Sequence, residues 1–184
     1  MSQEPQNLEE TRIEGDVVYH GRILDLEVDR VRLPNGGEAL REVVRHRGAV
    51  VVLPLLSDGR IVMVRQHRYP TGEVLLELPA GKLDPGESPV ECAVRELAEE
   101  TGWRAGETIP LGWFYTTPGF SDEVLHSFMA TGLEAASDYE PDPDEAIEIV
   151  TWTVGQALEA CRDGGIRDSK TIATLFQARL YGMI

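Results

Sequence analysis

The chain has 184 residues, 42% of them hydrophobic, which suits one domain of ordinary size with at most a small appendage. Its formal charge of −15 argues against bulk affinity for nucleic acid or an anionic membrane. No apolar run is long enough to span a bilayer and no signal-peptide pattern opens the chain. The expected setting is therefore the cytoplasm, where Cys92 and Cys161 read as small buried or half-buried residues rather than a disulfide.

Residues 1–10 are polar and aperiodic and read as a mobile tail. Residues 16–20, 22–33 and 38–47 read as three strands, with Val28, Arg30 and Arg32 alternating as in a half-exposed sheet. Pro34-Asn35-Gly36-Gly37 is a strong hairpin turn. This N-terminal antiparallel sheet, residues 11–47, is marginal alone and must pack on the main domain or on another chain. The main domain, residues 48–184, opens with residues 49–56, a continuous apolar strand expected to be buried on both faces. Ser57-Asp58-Gly59 turns the chain into its antiparallel partner, residues 60–68. Residues 74–78 then lead into a loop, Pro79-Ala80-Gly81. Further strands are expected at 109–115, 124–131 and 146–153, with a loop at 116–122 and an acidic loop at 138–144. Two amphipathic helices, 154–162 and 168–181, close the chain. The order of elements predicts an α+β protein built as an α/β/α sandwich around a mixed sheet.

Between these elements lies a helix with clear ends. Ser88 is its N-cap, Pro89 its first residue, Glu91 stands three after the cap, and Gly102 ends it. At about 100° per residue, Val90, Ala93, Val94 and Leu97 share one arc, the expected core face. Glu96, Glu99 and Glu100 gather on an arc beside it. A solvated face normally pairs Glu with Lys at four-residue spacing. Here Glu96 and Glu100 are like charges at that spacing, in the half of the helix where the dipole disfavours anions. A bound cation would offset all three, and an oxygen-only set suits Mg²⁺ or Mn²⁺.

Residues 81–103, GKLDPGESPVECAVRELAEETGW, resemble the Nudix box, G-x5-E-x7-R-E-U-x-E-E-x-G-U, where U is bulky and apolar. Gly81, Glu87, Arg95, Glu96, Leu97, Glu99, Glu100 and Gly102 all fall on it; Trp103 stands where an aliphatic residue is commoner. The resemblance implies hydrolysis of a nucleoside diphosphate linked to another moiety. It makes Glu96 and Glu100 the first metal ligands, Glu99 a shared ligand with Arg95 holding its carboxylate, and the Ala80 carbonyl a further ligand. Glu87, brought back by Pro85-Gly86, would orient the loop or touch the metal's water. An acidic chain that handles a phosphate ester must reverse its local field with divalent metal and a few arginines.

Outside the box, the N-terminal sheet, the run Val64-Arg65-Gln66-His67-Arg68-Tyr69 and the run Thr117-Pro118-Gly119-Phe120-Ser121-Asp122-Glu123 resemble the ADP-ribose and nucleotide-sugar pyrophosphatase branch. That branch implies cleavage of ADP-ribose to AMP and ribose 5-phosphate; the alternatives are GDP-mannose or another nucleoside-diphosphate sugar, or an inactive Nudix-fold binding module. It implies a homodimer that exchanges the N-terminal sheet, bringing Arg22 and Ile23 towards the partner's nucleotide site. Arg65 and Arg68 are candidates to hold the diphosphate, or they only decorate a strand end. Thr117, Pro118 and Glu123 are candidates to contact substrate, or Pro118-Gly119 is only a turn. Trp113 and Phe114 are either core or a base-stacking platform, and His67 and His126 are not ligands. The resemblance makes Glu145 a late metal ligand in the acidic loop. The base that activates water is then Asp144, Asp142 or Glu145 itself, unless the loop is merely solvated.

Overall fold

The computed structural model describes residues 6–136 and 146–184. Their contacts divide into two units: residues 1–47 with 117–123, and residues 48–116 with 124–184.

The first unit is a three-stranded antiparallel sheet of β1 (Thr11–His20), β2 (Leu24–Arg32) and β3 (Glu38–His46), in the order β1-β2-β3. β1 starts five residues before the expected 16–20, because two irregularities, at Arg12/Glu14 and Val17/Tyr19, break its alternation and hide its length from a period-two reading. Glu10, in the expected tail, is paired with Arg41 at 2.9 and 2.5 Å. The hairpin at 33–37 closes with Leu33 N–H donating to Gly37 O at 2.8 Å, and Gly36 takes φ +83°. Asp29 is buried; Arg12 Nε donates to it at 2.8 Å, and a Cβ at Gly15 would lie 1.8 Å from its Oδ1.

The segment 117–123 joins this sheet as a short parallel addition to β3. Val44 N–H donates to Phe120 O at 2.8 Å, and Asp122 N–H returns to Val44 O at 3.2 Å. The Asp122 carboxylate accepts from His46 N–H at 2.9 Å and from Arg45 Nη1 at 3.2 Å.

The second unit holds β4 (Ala49–Pro54), β5 (Arg60–Arg68), β6 (Glu73–Glu77), β7 (Ala80–Lys82), α1 (Pro89–Thr101), β8 (Trp103–Arg104) and β9 (Glu107–Tyr115). It continues with β10 (Val124–Thr131), β11 (Glu134–Ala135), β12 (Ile147–Thr153), α2 (Val154–Asp163) and α3 (Ser169–Leu180). One sheet runs β7-β4-β10-β9, with β4 and β10 parallel and the rest antiparallel; another, antiparallel, runs β12-β5-β6. The α+β class and the mixed sheet are as expected. β4 is buried along its whole length, and alternate residues serve two cores. Val51 and Leu53 pack with Ile61 and Met63 of β5 and with Ala157 and Leu175 of the last two helices. Val50 and Val52 pack with Ala93 and Leu97 of α1. That double duty is why the strand reads as an unbroken apolar run.

Two expectations need correction. Residues 80–82 are not loop but a short strand paired with β4. And the core face of α1 is turned from the valine arc: Cys92, Ala93, Leu97, Glu100 and Thr101 are buried, while Val90 and Val94 are 46% and 37% exposed. Small Cys92 and Ala93 let the helix approach the sheet on its glutamate side, which leaves the two valines on the rim. On β9, Phe114 packs against the core, but Trp113 is 57% exposed and stands edge-on to Tyr115, with ring centres 5.5 Å apart.

Asp122→Ala removes the acceptor for His46 N–H. Hydrogen exchange followed by NMR should show the His46 amide exchanging at least about tenfold faster, with the β4 amides unchanged.

Candidate active site

The site grows from the turn before α1. Gly86 takes φ +84°, which lets the chain reverse and point Glu87 back at the helix. Asp84 N–H donates to Glu87 Oε2 at 3.0 Å. The Ser88–Glu91 capping box then starts α1, and Gly102 in the left-handed region ends it.

Arg95 is the hub. Its Nε and Nη2 donate to the two oxygens of Glu87 at 2.8 and 2.9 Å. Its Nη1 donates to Glu96 Oε1 and to Glu99 Oε2, both at 2.8 Å. Nη2 also reaches Lys82 O at 3.2 Å, joining helix to β7. Glu87 first, then Glu96 and Glu99, hold the guanidinium protonated far beyond its ordinary range, against its burial. In return the Arg95 hydrogen bonds, with help from Asp84 N–H, outweigh burial and draw the Glu87 carboxyl down to about 2. Cys92 is a protonated thiol: burial first, and then Glu96 and Glu87, push it up.

Two glutamates are set against β7. The buried Glu100 accepts from Ala80 N–H at 3.0 Å. The Glu96 carboxylate fills the space beside Gly81, where an added Cβ would lie 1.8 Å from its Cδ. Gly81 is therefore glycine because the carboxylate occupies the place of its side chain. Among the described residues no three acidic, His or Cys side chains are gathered tightly enough to enclose a cation; here Arg95 bridges Glu96 and Glu99. The donor chemistry nevertheless fits a hard divalent ion. Glu96, Glu99 and Glu100 are carboxylates on one side of one helix, and the glycine at 81 lets Glu96 lie directly against the β7 backbone.

Arg68 lies at the end of β5 and is committed to a residue that sequence reasoning missed. Its Nε and Nη2 donate to Glu77 at 2.9 and 2.7 Å, and Lys170 of α3 donates to the same fully buried carboxylate. Burial pushes the Glu77 carboxyl up, but Arg68 and Lys170 outweigh it and hold it below its usual range. Glu77 lies inside the expected strand 74–78, after an apolar run. The one available signal was a charged residue on a strand flanked on both sides by leucine. Arg65 is on the other face of β5 and pairs with Glu148 of β12 at 2.6 Å.

The remaining candidates belong to the first unit. Arg22 and Ile23 line a cavity of about 210 Å³ with Asp25, Arg45, His46 and Arg47. Thr117, Pro118 and Glu123 lie on the segment added to β3, and Glu123 approaches His46 Nδ1 at 3.3 Å. Glu145, with Asp142 and Asp144, lies outside the described residues.

A glutamate-rich helix, clasped by one arginine and seated on a glycine of the neighbouring strand, defines the class of divalent-metal hydrolases that act on phosphoanhydrides. Residues 44–175 match the family model for the NUDIX domain, and residues 10–44 match the nucleoside diphosphate sugar hydrolase N-terminal domain. The chain belongs to the Nudix family, whose hydrolases generally need a divalent metal. It is 42% identical to the ADP-ribose pyrophosphatase of Bacillus subtilis, over 90% of both chains. It is also 42% identical to the methanol dehydrogenase activator of Bacillus methanolicus, over 89% of both. With the GDP-mannose pyrophosphatase of Yersinia enterocolitica it shares 35% identity, over 80% of this chain and 81% of the other. The crystal structure of an ADP compounds hydrolase superposes with a TM-score of 0.84 at 23% identity, covering 98% of this chain and all of that one, and so has the same fold.

The Glu87–Arg95 pair has a defined acid signature. The Glu87 carboxyl sits at about 2 in the folded protein against 4.5 ordinarily, so its stabilising contribution is complete above pH 4.5 and is lost as the pH falls towards 2. In urea denaturation at a series of pH values, the stability gap between wild type and Glu87→Gln should be widest above pH 4.5 and close towards pH 2.

Proposed function

We propose that this protein is a Mg²⁺-dependent cytoplasmic hydrolase that cleaves the diphosphate of ADP-ribose, or of a related nucleotide sugar, to AMP and a sugar phosphate, ribose 5-phosphate from ADP-ribose. The observation that carries the reading is the complete carboxylate set around Arg95, with Glu96 seated in the Gly81 cradle. A binding module without chemistry has no need of it. Relatives named ADP-ribose pyrophosphatase at 42% and 40% identity support the substrate. A GDP-mannose substrate is the second reading, favoured by relatives of that name at 33–36% identity. Two free thiols, Cys92 and Cys161, agree with a cytoplasmic setting.

In this reading Glu96, Glu99 and Glu100 hold the metal with the Ala80 carbonyl, and Glu145 joins them. The ion, when bound, neutralises charge developing on the diphosphate and makes water a better nucleophile. Arg95 keeps the carboxylates from spreading under mutual repulsion, and Glu87 fixes Arg95 by its other edge. Arg68 offers a planar cation to the diphosphate, and Arg65 adds a second positive charge. A carboxylate of the acidic loop, Asp142, Asp144 or Glu145, takes the proton from the attacking water. Arg22, Ile23, Thr117, Pro118 and Glu123 choose the rest of the substrate.

The homodimer belongs to the same proposal. The N-terminal sheet leaves Ile13, Val17, Val18 and Tyr19 of β1 exposed, which is a large apolar surface for a single small sheet. Light scattering at micromolar concentration should give twice the mass of the chain; a monomer overturns the exchange of N-terminal sheets.

With Mg²⁺ present, a panel of ADP-ribose, GDP-mannose, dinucleoside polyphosphates and oxidised nucleotides should show ADP-ribose cleaved fastest, with AMP as product. Glu96→Gln and Glu100→Gln should each lower kcat on the order of a hundredfold without altering the melting temperature by more than a few degrees. Turnover that survives exhaustive chelation excludes the metal reading, and preference for GDP-mannose moves the protein to the second reading.

A further inference from the structure

Arg68 is held by one edge only. Its Nε and Nη2 are fixed on the two oxygens of Glu77, and its guanidinium makes no other hydrogen bond among the described residues. A guanidinium carries five N–H groups in a rigid fork, so the two on Nη1 and one on Nη2 remain uncommitted. The other three members of the cluster are bonded mainly among themselves and to α3. Glu77 is fully buried on β6, and Lys170 lies between Glu77 and Asp168, whose Oδ1 it reaches at 2.9 Å. Asp168 Oδ2 in turn accepts from the Thr171 hydroxyl and backbone N–H, at 2.6 and 2.9 Å, as the N-cap of α3.

Charge is arranged to match. Two carboxylates and two cations balance, but Lys170 is enclosed by both carboxylates, while Arg68 sits at the end of the series, half-exposed. Glu77 above all, and further off Glu100 and Asp168, hold the Arg68 guanidinium protonated against its burial. Glu100 of the box helix is thus among the charges that act on Arg68. A second donor is nearby. Gln66, two residues before Arg68 on the same face of β5, has a buried Nε2 with no hydrogen-bond partner. A buried donor without an acceptor is costly, so the core around this end of β5 is not fully satisfied.

We propose that Glu77 is a positioning residue for substrate binding: it clamps the Nε–Nη2 edge of Arg68, leaving the Nη1 end for the phosphate oxygens of the substrate, and Lys170 secures Glu77 from α3. The role rests on the reading that the substrate is a nucleoside diphosphate. A buried carboxylate of this kind is otherwise explained as a fold element that ties β6 to α3, so the test must separate the two roles.

Steady-state kinetics with ADP-ribose and Mg²⁺, together with thermal melts, are compared for wild type, Arg68→Ala, Glu77→Gln, the Arg68→Ala/Glu77→Gln pair, Lys170→Met, and the charge-balanced pair Glu77→Gln/Lys170→Met. Glu77→Gln should raise KM about tenfold with kcat held within about twofold, because a clamp on a binding residue affects uniform binding. It should add nothing once Arg68 is alanine, since the two act as one unit. The charge-balanced pair should regain melting temperature while its KM stays high, and it replaces Glu77→Gln, read against Lys170→Met, should the single variant not fold. The proposal is overturned by an unchanged KM in Glu77→Gln, by additive effects with Arg68→Ala, by a loss confined to kcat, or by a KM that recovers with the fold in the charge-balanced pair. A wild-type protein that cleaves no diphosphate in the panel overturns the proposed function and this inference together; cleavage of ADP-ribose with any of the preceding outcomes overturns this inference alone.

Discussion

Three negative charges on one side of a helix's second half repel each other and oppose the helix dipole. Arg95 makes the arrangement possible. Its guanidinium divides its donors between Glu87 in the preceding loop and Glu96 and Glu99 on its own helix, and it also reaches the backbone of β7 and Cys92 Sγ. A lysine could not replace it, because a point charge cannot address a loop carboxylate with one edge and two helical carboxylates with another. The turn at Gly86, the capping box and the docking of α1 on β7 all serve to bring these groups within one guanidinium's reach.

The helix orientation follows from the same constraint. An apolar moment alone would turn Val90 and Val94 inwards. The helix instead presents Ala93, Leu97 and Glu100 to the sheet, and the buried Glu100 is compensated by Ala80 N–H. Burial of a carboxylate is tolerable where a backbone donor receives it. The hydrophobic contribution of two valines is the smaller effect, and they are left on the rim.

What was legible in the chain was local. The ends of α1 were readable from Ser88, Pro89, Glu91 and Gly102, since caps act within four residues. β4 was readable because both its faces are covered. The box carboxylates were readable from spacing. The rest depended on partners far away in sequence. Glu77 is matched by Lys170, 93 residues on. The rotation of α1 is set by the absent side chain of Gly81, on another strand. The start of β1 was masked by irregular pairing that a simple alternation cannot express. Arg65 and Arg68 looked alike in the run from Val64 to Tyr69, yet they fall on opposite faces of β5 and meet different acids, Glu148 and Glu77.

The segment 117–123 bears on how such proteins can be recombined. It is encoded some seventy residues after β3, between two strands of the second unit, but its backbone and Asp122 are bonded to Val44, Arg45 and His46. The natural module is thus discontinuous in the gene. A chimaera that takes residues 11–47 from a relative and keeps this chain's own 117–123 would pair a foreign strand with a native clip. Moving this sheet between relatives requires both pieces to travel together.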